Sequence, residues 1–300
     1  MEGVELDLCA VILTVRDEEP QVLVVQERCG LSLPSGGLDV AGDRTLELGL
    51  RRWVRGRAGL DLGYVEQLYS FGDRGRSAAA RLVTVAYLAL VDAQVESHGG
   101  LWSGVYRYFP WEDWRSGGPA AVSPAVVASL RGWSEAGEGR EQRQRRWSRV
   151  EIAFGMGGAP WDEERVLDRY ELLYGAGLVA EAGGSADEDT GAPLCVDHRR
   201  MLASALSRVR GKLKYRPVVF ELLPPLFTLF QLQRVVEALA GRRLHKQNFR
   251  RLVLKGGLVE GTPAVEQRTG GRPAALFRFR HEVLRERPAP GLALPGMRLG

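Results

Sequence analysis

Apolar and polar positions along the first 110 residues follow the pattern of short strands around a single helix. Leu8–Val15 and Gln21–Gln26 are β-rich runs separated by a polar turn, which together predict a hairpin. Residues 44–57 carry apolar side chains at helical spacing and predict one helix. Further strands are predicted at Tyr64–Phe71, Leu82–Val91 and Tyr106–Trp111. Mixed strands around a helix indicate an α/β or α+β sandwich, and we take the α+β class as the prediction.

The pattern changes to helical periodicity between residues 115 and 196. Helices are predicted at Pro124–Trp133, Glu141–Phe154 and Asp162–Tyr174, with joints rich in glycine and proline between them. Residues 183–191 contain no apolar side chain larger than alanine and predict a mobile linker. We interpret this region as a helical insertion or connector.

The remaining chain has the element order of a winged helix-turn-helix. Thr228 is the predicted N-cap of a helix over Leu229–Ala240, which Gly241 ends, and a second short helix is predicted over His245–Lys255. The other predicted elements are helices at His198–Lys212 and Val218–Leu223 and strands at Leu258–Glu260 and Ala275–Phe279. The predicted domains are a sandwich at 1–114, the insertion at 115–196, the winged helix at 197–285 and a tail at 286–300.

The distribution of charge adds a functional indication to this architecture. Residues 1–197 hold 20 Lys+Arg against 31 Asp+Glu, a net charge of −11, whereas residues 198–300 hold 21 against 6, a net charge of +15. A basic segment behind an acidic one is typical of a sensor joined to a polyanion-binding domain.

Cysteine usage and hydropathy indicate a cytoplasmic protein. The three cysteines, Cys9, Cys29 and Cys195, are scattered and form no CxxC pair, so we expect buried thiols rather than disulfides or a zinc site. No apolar run reaches the roughly 18 residues that span a bilayer, and the N-terminus lacks the pattern of a secretory signal.

The helix at His245–Lys255 is the candidate recognition helix for the DNA major groove. Phe249, Leu252 and Val253 would face the core, which leaves the polar side chains available to base edges and phosphates. Two arginines in the predicted wing turn suit a minor groove or phosphates. The predicted DNA-binding residues are Thr228, Gln231, Arg234, Lys246, Gln247, Asn248, Arg250, Arg251, Arg268 and Arg272.

Residues 33–37, the following helix and Gly59-Leu60 resemble the Nudix box, G-x5-E-x7-R-E-U-x-E-E-x-G-U, with one extra residue of spacing. In that family the last two glutamates hold magnesium ions that polarise a pyrophosphate. Here these two positions fall on Gly56 and Arg57, so we expect no hydrolysis and no required metal cofactor. Arginines such as Arg52 and Arg57 would instead attract phosphate.

Several blocks in a fixed order give a more specific resemblance to the Nudix-related transcriptional regulators of the NrtR type, over about residues 4–112 and 194–281. These blocks are Val65–Arg76, Thr84–Leu90, Asp197-His198, Arg210–Tyr215, Phe220–Pro224, Phe227–Leu229, Gln231–Arg234 and Asn248–Arg251. The long insertion is most like the proteobacterial NadQ branch. The resemblance implies homodimers that control NAD synthesis or pentose genes and sense ADP-ribose, NAD or ATP.

The predicted effector site lies around the altered box and the loop after it. Arginines suit the phosphates of a nucleotide, and tyrosine or phenylalanine can stack on its adenine. The alternative roles are core packing for the two aromatics and turn formation for the two glycines. The predicted ligand-binding residues are Arg28, Gly36, Gly37, Arg52, Arg57, Tyr69, Phe71, Arg74, Arg76 and Arg81.

These patterns lead to one main hypothesis and two alternatives. The main hypothesis is a nucleotide-controlled repressor of NAD biosynthesis genes, whose dimer binds a near-palindromic operator with half-sites about 34 Å apart. One alternative is an active Nudix pyrophosphohydrolase. The other is an adaptor that binds protein partners through residues 140–149 and the tryptophans of the insertion.

Overall fold

Two long antiparallel strands form the centre of a mixed sheet in the computed structural model, which describes residues 3–73, 76, 81–117, 122–267 and 273–292. They are β1 (Val4–Arg16) and β2 (Glu19–Glu27), and they confirm the predicted hairpin. The other strands are β3 (Gly30–Ser32), β4 (Ser35–Gly37), β5 (Tyr64–Phe71), β6 (Arg81–Leu90) and β7 (Leu101–Gly104). Their order is β3-β2-β1-β6-β5, with β4 paired to β1 and β7 paired to β2.

The sheet is buried on both faces because β1 alternates between two apolar clusters. Cys9, Val11 and Leu13 point into one cluster, while Leu8 and Ile12 point into the other. On its other side β1 pairs with β6 in parallel, and parallel pairs are usually covered on both faces. The sheet therefore needs a helical layer on each side.

One face is covered by α1 (Leu46–Ala58), which buries Leu50 and Val54 against the sheet. The Thr45 hydroxyl caps its first turn, and Gly59 ends it in the left-handed region at φ 69°. The opposite face is covered by α5 (His198–Tyr215) and by α6 (Leu229–Ala240). The sequence places α5 in the winged-helix domain, but in the structure it packs on β1, β5 and β6. The domain boundary at residue 197 stays a prediction.

The insertion contains the three predicted helices, α2 (Pro124–Glu135), α3 (Gly139–Phe154) and α4 (Val166–Gly175). The strand predicted at Tyr106–Trp111 is wrong. That stretch forms two 3₁₀ turns, Val105–Arg107 and Pro110–Glu112. Aromatic side chains there pack on α4 rather than alternating across a sheet, as the edge-on contact of Phe109 with Tyr170 shows.

The segment 183–191, predicted as a mobile linker, contains a hydrogen-bonded turn. The Asp187 carboxylate accepts hydrogen bonds from the backbone N–H groups of Asp189 and Thr190, and Thr190 is buried. The composition predicted mobility because the segment has no large apolar side chain. Its polar groups instead hydrogen-bond to one another within the turn.

The C-terminal elements have the predicted helix-turn-helix and hairpin order. After a 3₁₀ turn at Val218–Leu222 come α6, α7 (Lys246–Lys255), β8 (Val259–Glu266), β9 (Ala274–Phe279) and the short α8 (Val283–Glu286). Thr228 and Gln231 form a reciprocal capping box at the start of α6, and Gly241 ends the helix at φ 69°. Among the described residues, no helix is both long and apolar enough to cross a membrane.

A buried ion cluster joins the sandwich, the insertion and α5. The Glu112 carboxylate accepts from Arg169 Nε at 2.5 Å and from Arg210 Nη1 at 2.5 Å, and all three side chains are fully buried. Burial alone would raise the pKa of Glu112, but the two guanidinium groups outweigh it and hold that pKa below its usual value. Arg210 also donates to the Leu239 carbonyl at the end of α6.

A disulfide joins Cys29, in the turn between β2 and β3, to Cys195, just before α5. The expectation of three free thiols is therefore wrong for this pair, although Cys9 is a free and buried thiol. The two cysteines lie 166 residues apart in sequence, so no spacing motif indicates that the fold brings them together.

Candidate functional site

The exposed face of α7 presents the predicted base-reading residues. Phe249 and Val253 are buried beneath the helix, as predicted, and Leu252 is half-buried. Lys246, Arg250 and Arg251 are exposed. None of the three forms an ion pair with another residue in the described part of the chain. Gln247 and Asn248 are exposed on the same helix. Unpaired cations beside amide side chains are the groups that protein surfaces use to contact phosphates and base edges.

A groove of about 600 Å³ runs between the N-terminus of α6, α7 and the wing strand β9. Lys246 and Arg250 line it beside Thr228 and Ala275. The first N–H groups of a helix and its dipole favour anions. The groove therefore combines three sources of positive potential, which are Lys246, Arg250 and the N-terminus of α6. It has the size and charge to take a backbone phosphate.

The α6 residues predicted to contact DNA are partly engaged inside the protein. Thr228 is buried and donates its backbone N–H to the Gln231 side chain at 2.7 Å. Arg234 pairs with Glu237 at 2.8 Å and with Glu18 at 3.2 Å. Arg268 and Arg272 lie outside the described residues.

The residues predicted around the altered Nudix box do not come together. Arg52 is exposed and pairs with Asp43 at 2.8 Å, and Arg57 is exposed with its guanidinium 5.7 Å from the Trp53 ring centre. Tyr69 is exposed, Phe71 is half-buried against the core and Arg81 is exposed at the start of β6, while Arg74 lies outside the described residues.

The two glycines of the box lie in β4, where Gly36 pairs with Leu8 and Gly37 with Asp7 of β1. The Trp53 indole packs directly against Gly36, since a Cβ there would come within 1.8 Å of its Nε1. The tryptophan thus fills the space between β4 and α1. Gly36 is needed for this close approach.

A cavity of about 380 Å³ opens at the edge of the sheet and gathers two of the predicted ligand residues, Arg28 and Arg76. Arg28 is exposed at its mouth. Arg76 is held inside by Asp197 at 2.8 Å and by the Thr84 hydroxyl at 2.9 Å. The residues that line the cavity are Asp7, Glu27, Arg28, Cys29, Ser32, Ser35, Arg76, Leu82, Thr84, Cys195, Val196 and His198.

Two titratable groups of the cavity are shifted toward their neutral forms. Burial raises the pKa of the Asp7 carboxyl to about 6, although the positive charge of Arg76 acts in the opposite direction. Burial also lowers the pKa of His198 to about 4. Near pH 5 both side chains would be uncharged, which leaves Glu27, Arg28 and the Asp197-paired Arg76 as the other ionisable side chains at the cavity.

His198 connects the start of α5 to the end of β3 through hydrogen bonds. Its Nδ1 accepts from the Leu33 backbone N–H at 3.0 Å, and the Ser32 hydroxyl lies 2.8 Å from the same nitrogen. The Cys195 N–H donates to the Leu31 carbonyl at 2.9 Å. These contacts make the segment before α5 one wall of the cavity.

Sequence reasoning did not select Asp7, Ser35, Thr84 or His198 as ligand residues. Asp7 and Thr84 lie opposite each other on paired strands, β1 and β6, in otherwise apolar runs. A polar residue within a buried strand was the available signal for these two. No group of three or more His, Cys, Asp or Glu side chains that could hold a metal ion occurs in the described ranges.

The chain is similar to known regulators over most of its length. The family described as the NrtR DNA-binding winged helix domain matches residues 219–279. The "ADPR responsive transcriptional repressor NtrR" of Acinetobacter baylyi is 24% identical over 273 residues, which is 89% of this chain and 79% of that protein.

Two solved structures are similar in fold. Shewanella oneidensis NrtR complexed with a 27mer DNA is 23% identical with a TM-score of 0.55, covering 93% of this chain and 95% of that one. A MutT/nudix family protein from Enterococcus faecalis is 16% identical with a TM-score of 0.54, covering 93% and 88%. These similarities confirm the predicted fold class, a Nudix-like α+β sandwich followed by a winged helix.

Proposed function

Because its C-terminal part is an NrtR winged helix and its fold is that of the NrtR-type, Nudix-related regulators, we propose that this chain is a nucleotide-controlled transcriptional repressor. The observation that carries this proposal is the exposed face of α7, where Lys246, Arg250 and Arg251 have no ion-pair partner among the described residues. The function rests on that face rather than on the net charge of the segment.

Operator binding follows from the placement of these cations. In a winged helix the second helix of the helix-turn-helix enters the major groove, and here that helix is α7. Lys246 and Arg250 would hold phosphates at the groove beside α6, and Gln247 and Asn248 would meet base edges. A dimer would place two copies of α7 about 34 Å apart on a near-palindromic operator.

The effector would bind in the cavity at the sheet edge. Its mixture of two arginines, a carboxyl and hydroxyl groups suits a ribose and a pyrophosphate. The similarity to a repressor named as ADPR responsive favours ADP-ribose, with NAD and ATP as the other adenine nucleotides to compare. Of the ten predicted ligand residues, we retain Arg28 and Arg76 at this site.

The sandwich would bind its nucleotide without hydrolysing it. The two positions that carry metal-binding glutamates in the Nudix box are Gly56 and Arg57, which offer no oxygen ligand and reverse the charge. The residues present therefore do not fit magnesium. We expect no phosphate release from NAD or ADP-ribose in the presence of magnesium.

The remaining parts of the proposal extend the resemblance. They are a homodimer in the cytoplasm, control of NAD biosynthesis genes, and membership of the longer NadQ-like branch. The adaptor alternative rests on α3, whose exposed arginines belong to the insertion.

The test is fluorescence anisotropy with DNA from upstream of the NAD biosynthesis genes, with and without ADP-ribose, NAD and ATP. We expect specific binding that weakens steeply with salt because counterions are released, and that one nucleotide alters. An affinity for the operator that equals the affinity for unrelated DNA would contradict the repressor. Specific binding that no nucleotide alters would contradict the effector cavity alone.

A further inference from the structure

The disulfide between Cys29 and Cys195 lies on the wall of the effector cavity. Cys29 belongs to the turn that follows β2, next to Arg28, and Cys195 precedes α5. The bond thus ties the turn that carries the cavity's exposed arginine to the segment that carries His198. Because both cysteines line the cavity, breaking the bond would change the cavity wall directly.

The two cysteines differ in accessibility. Cys29 is exposed, whereas Cys195 is 6% exposed. Of the two, the exposed Cys29 is therefore the residue that an external thiolate would attack, while Cys195 is shielded. Accessibility at the cavity mouth makes the bond open to exchange without unfolding of the chain.

Non-covalent contacts beside the bond would keep the local fold when it is broken. The Cys195 N–H to Leu31 carbonyl bond and the Leu33 N–H to His198 bond hold β3 against the start of α5. Gly30, at φ 123°, lets the turn pass beside the Cys195 sulfur, which lies 4.0 Å from where a Cβ would be. Reduction would therefore free the two turn residues, Arg28 and Cys29, and leave β3 in place, since Gly30 remains paired with Glu27.

We propose that Cys29–Cys195 is a reversible redox modification site, and that its reduction by a cellular dithiol releases Arg28 from the cavity rim and weakens nucleotide binding. The proposal rests on the proposed function in one respect. A DNA-binding regulator works in a compartment whose thiols are reducing, and disulfides there are mostly transient or redox-sensing.

The exchange balances in two steps. A dithiol thiolate attacks the Cys29 sulfur, forms a mixed disulfide, and displaces Cys195 as a thiolate that then takes up a proton. The second thiol of the dithiol, as its thiolate, attacks the mixed disulfide and releases Cys29 as a thiolate that is protonated in turn. The dithiol is oxidised by two electrons to its own disulfide, and the protein gains two thiols.

The first measurement counts thiols under denaturing conditions, after the protein is isolated with and without a dithiol reductant. We expect one reactive thiol in the oxidised chain, from Cys9, and three in the reduced chain. The Cys9→Ala variant should give none and two. Three thiols in protein prepared under aerobic conditions would overturn the proposal.

The second measurement compares ADP-ribose affinity in the oxidised chain, the reduced chain and the Cys29→Ser variant. We expect the reduced chain and Cys29→Ser to bind at least threefold more weakly than the oxidised chain, because the turn is no longer held in its binding position. Cys29→Ser should also stop responding to reductant. A change of less than threefold in the reduced wild-type chain would overturn the proposal even if the variant failed to fold.

Hydrogen exchange separates this proposal from the proposed function. On reduction the amides of Arg28 and Cys29 should exchange at least tenfold faster, while that of Leu33 should not change. This result needs neither DNA nor nucleotide, so absence of operator binding would count against the repressor only. Unchanged exchange at Arg28 and Cys29 would overturn the redox site.

Discussion

The exposed face of α7 and the buried cluster around Glu112 use the same residue type in opposite ways. Arg250 is exposed, with no ion-pair partner among the described residues, whereas Arg169 and Arg210 are fully buried against one carboxylate. An exposed cation costs little to the free protein and is available to a polyanion. A buried cation must be paired, because leaving it alone in a low-dielectric interior costs several kcal/mol.

This difference shows what a count of charges can establish. The net charge of +15 over residues 198–300 includes arginines that never meet solvent, such as Arg199 and Arg210. The potential available to DNA comes from the subset that is exposed and unpaired. The comparison between the two regions can be tested by removing one charge from each.

The largest effect is expected from Glu112→Gln. The substitution leaves Arg169 and Arg210 buried beside a neutral amide, so the free energy of unfolding should fall by about 3–5 kcal/mol. Urea denaturation measures this change. The matched control is Glu141→Gln on α3, whose exposed pair with Arg145 should contribute less than about 0.5 kcal/mol. Equal losses in the two variants would contradict the contrast between buried and exposed arginines.

A smaller effect, on DNA alone, is expected from Arg250→Ala. Operator binding should weaken and the slope of log K against log salt should fall in magnitude by about 1, because one phosphate contact is lost, while the free energy of unfolding changes by no more than about 0.5 kcal/mol. Anisotropy titrations and urea denaturation of the same preparation give both values. Arg145→Ala, which removes an exposed arginine from the insertion, is the control and should leave operator affinity unchanged. If Arg145→Ala weakened binding as much, α7 would not be the distinctive surface.

The smallest effect is expected from His198→Ala, which removes the acceptor of the Leu33 N–H. The free energy of unfolding should fall by about 1–2 kcal/mol at pH 7.5, and His198→Asn should recover part of it by supplying an amide oxygen. Urea denaturation measures both variants. A loss that asparagine does not reduce would indicate a packing effect instead.

The same histidine predicts a pH dependence. Burial lowers the pKa of His198 to about 4, so between about pH 6.5 and pH 4 the unfolded chain binds a proton that the folded chain does not. The wild-type chain should therefore lose stability relative to His198→Ala as the pH falls through this window. The raised pKa of Asp7 has the opposite sign but is common to both proteins. A constant difference across the window would contradict the buried, neutral histidine.

Local signals allowed much of the fold to be predicted from the sequence. The N-cap Thr228 and the C-cap Gly241 fix the ends of α6 through residues that are neighbours in the chain. The strand over Tyr64–Phe71 was predicted with its observed bounds. Such elements depend on periodicity and capping, which a single sequence displays.

The candidate cavity could not be predicted in the same way because its walls come from distant parts of the chain. Arg76 and Asp197 are 121 residues apart, and the two bonded cysteines are 166 apart. The arginines of α1 were expected to serve phosphate because the box resembles a catalytic motif. The structure instead pairs Arg52 with Asp43 and turns Arg57 to solvent.

The end of α6 has a consequence for how such a chain can be rearranged. Tyr106 donates its hydroxyl to the Ala238 carbonyl, and Trp114 donates its backbone N–H to Gly241, where a Cβ would come within 2.2 Å of the Glu112 carbonyl. The C-terminal end of α6 is therefore held by residues that lie more than a hundred positions earlier in the chain. The winged helix is therefore not an independent unit. A recombination event that moved residues 219–279 without residues 106–114 would remove the hydrogen bonds that Tyr106 and Trp114 make to the end of α6.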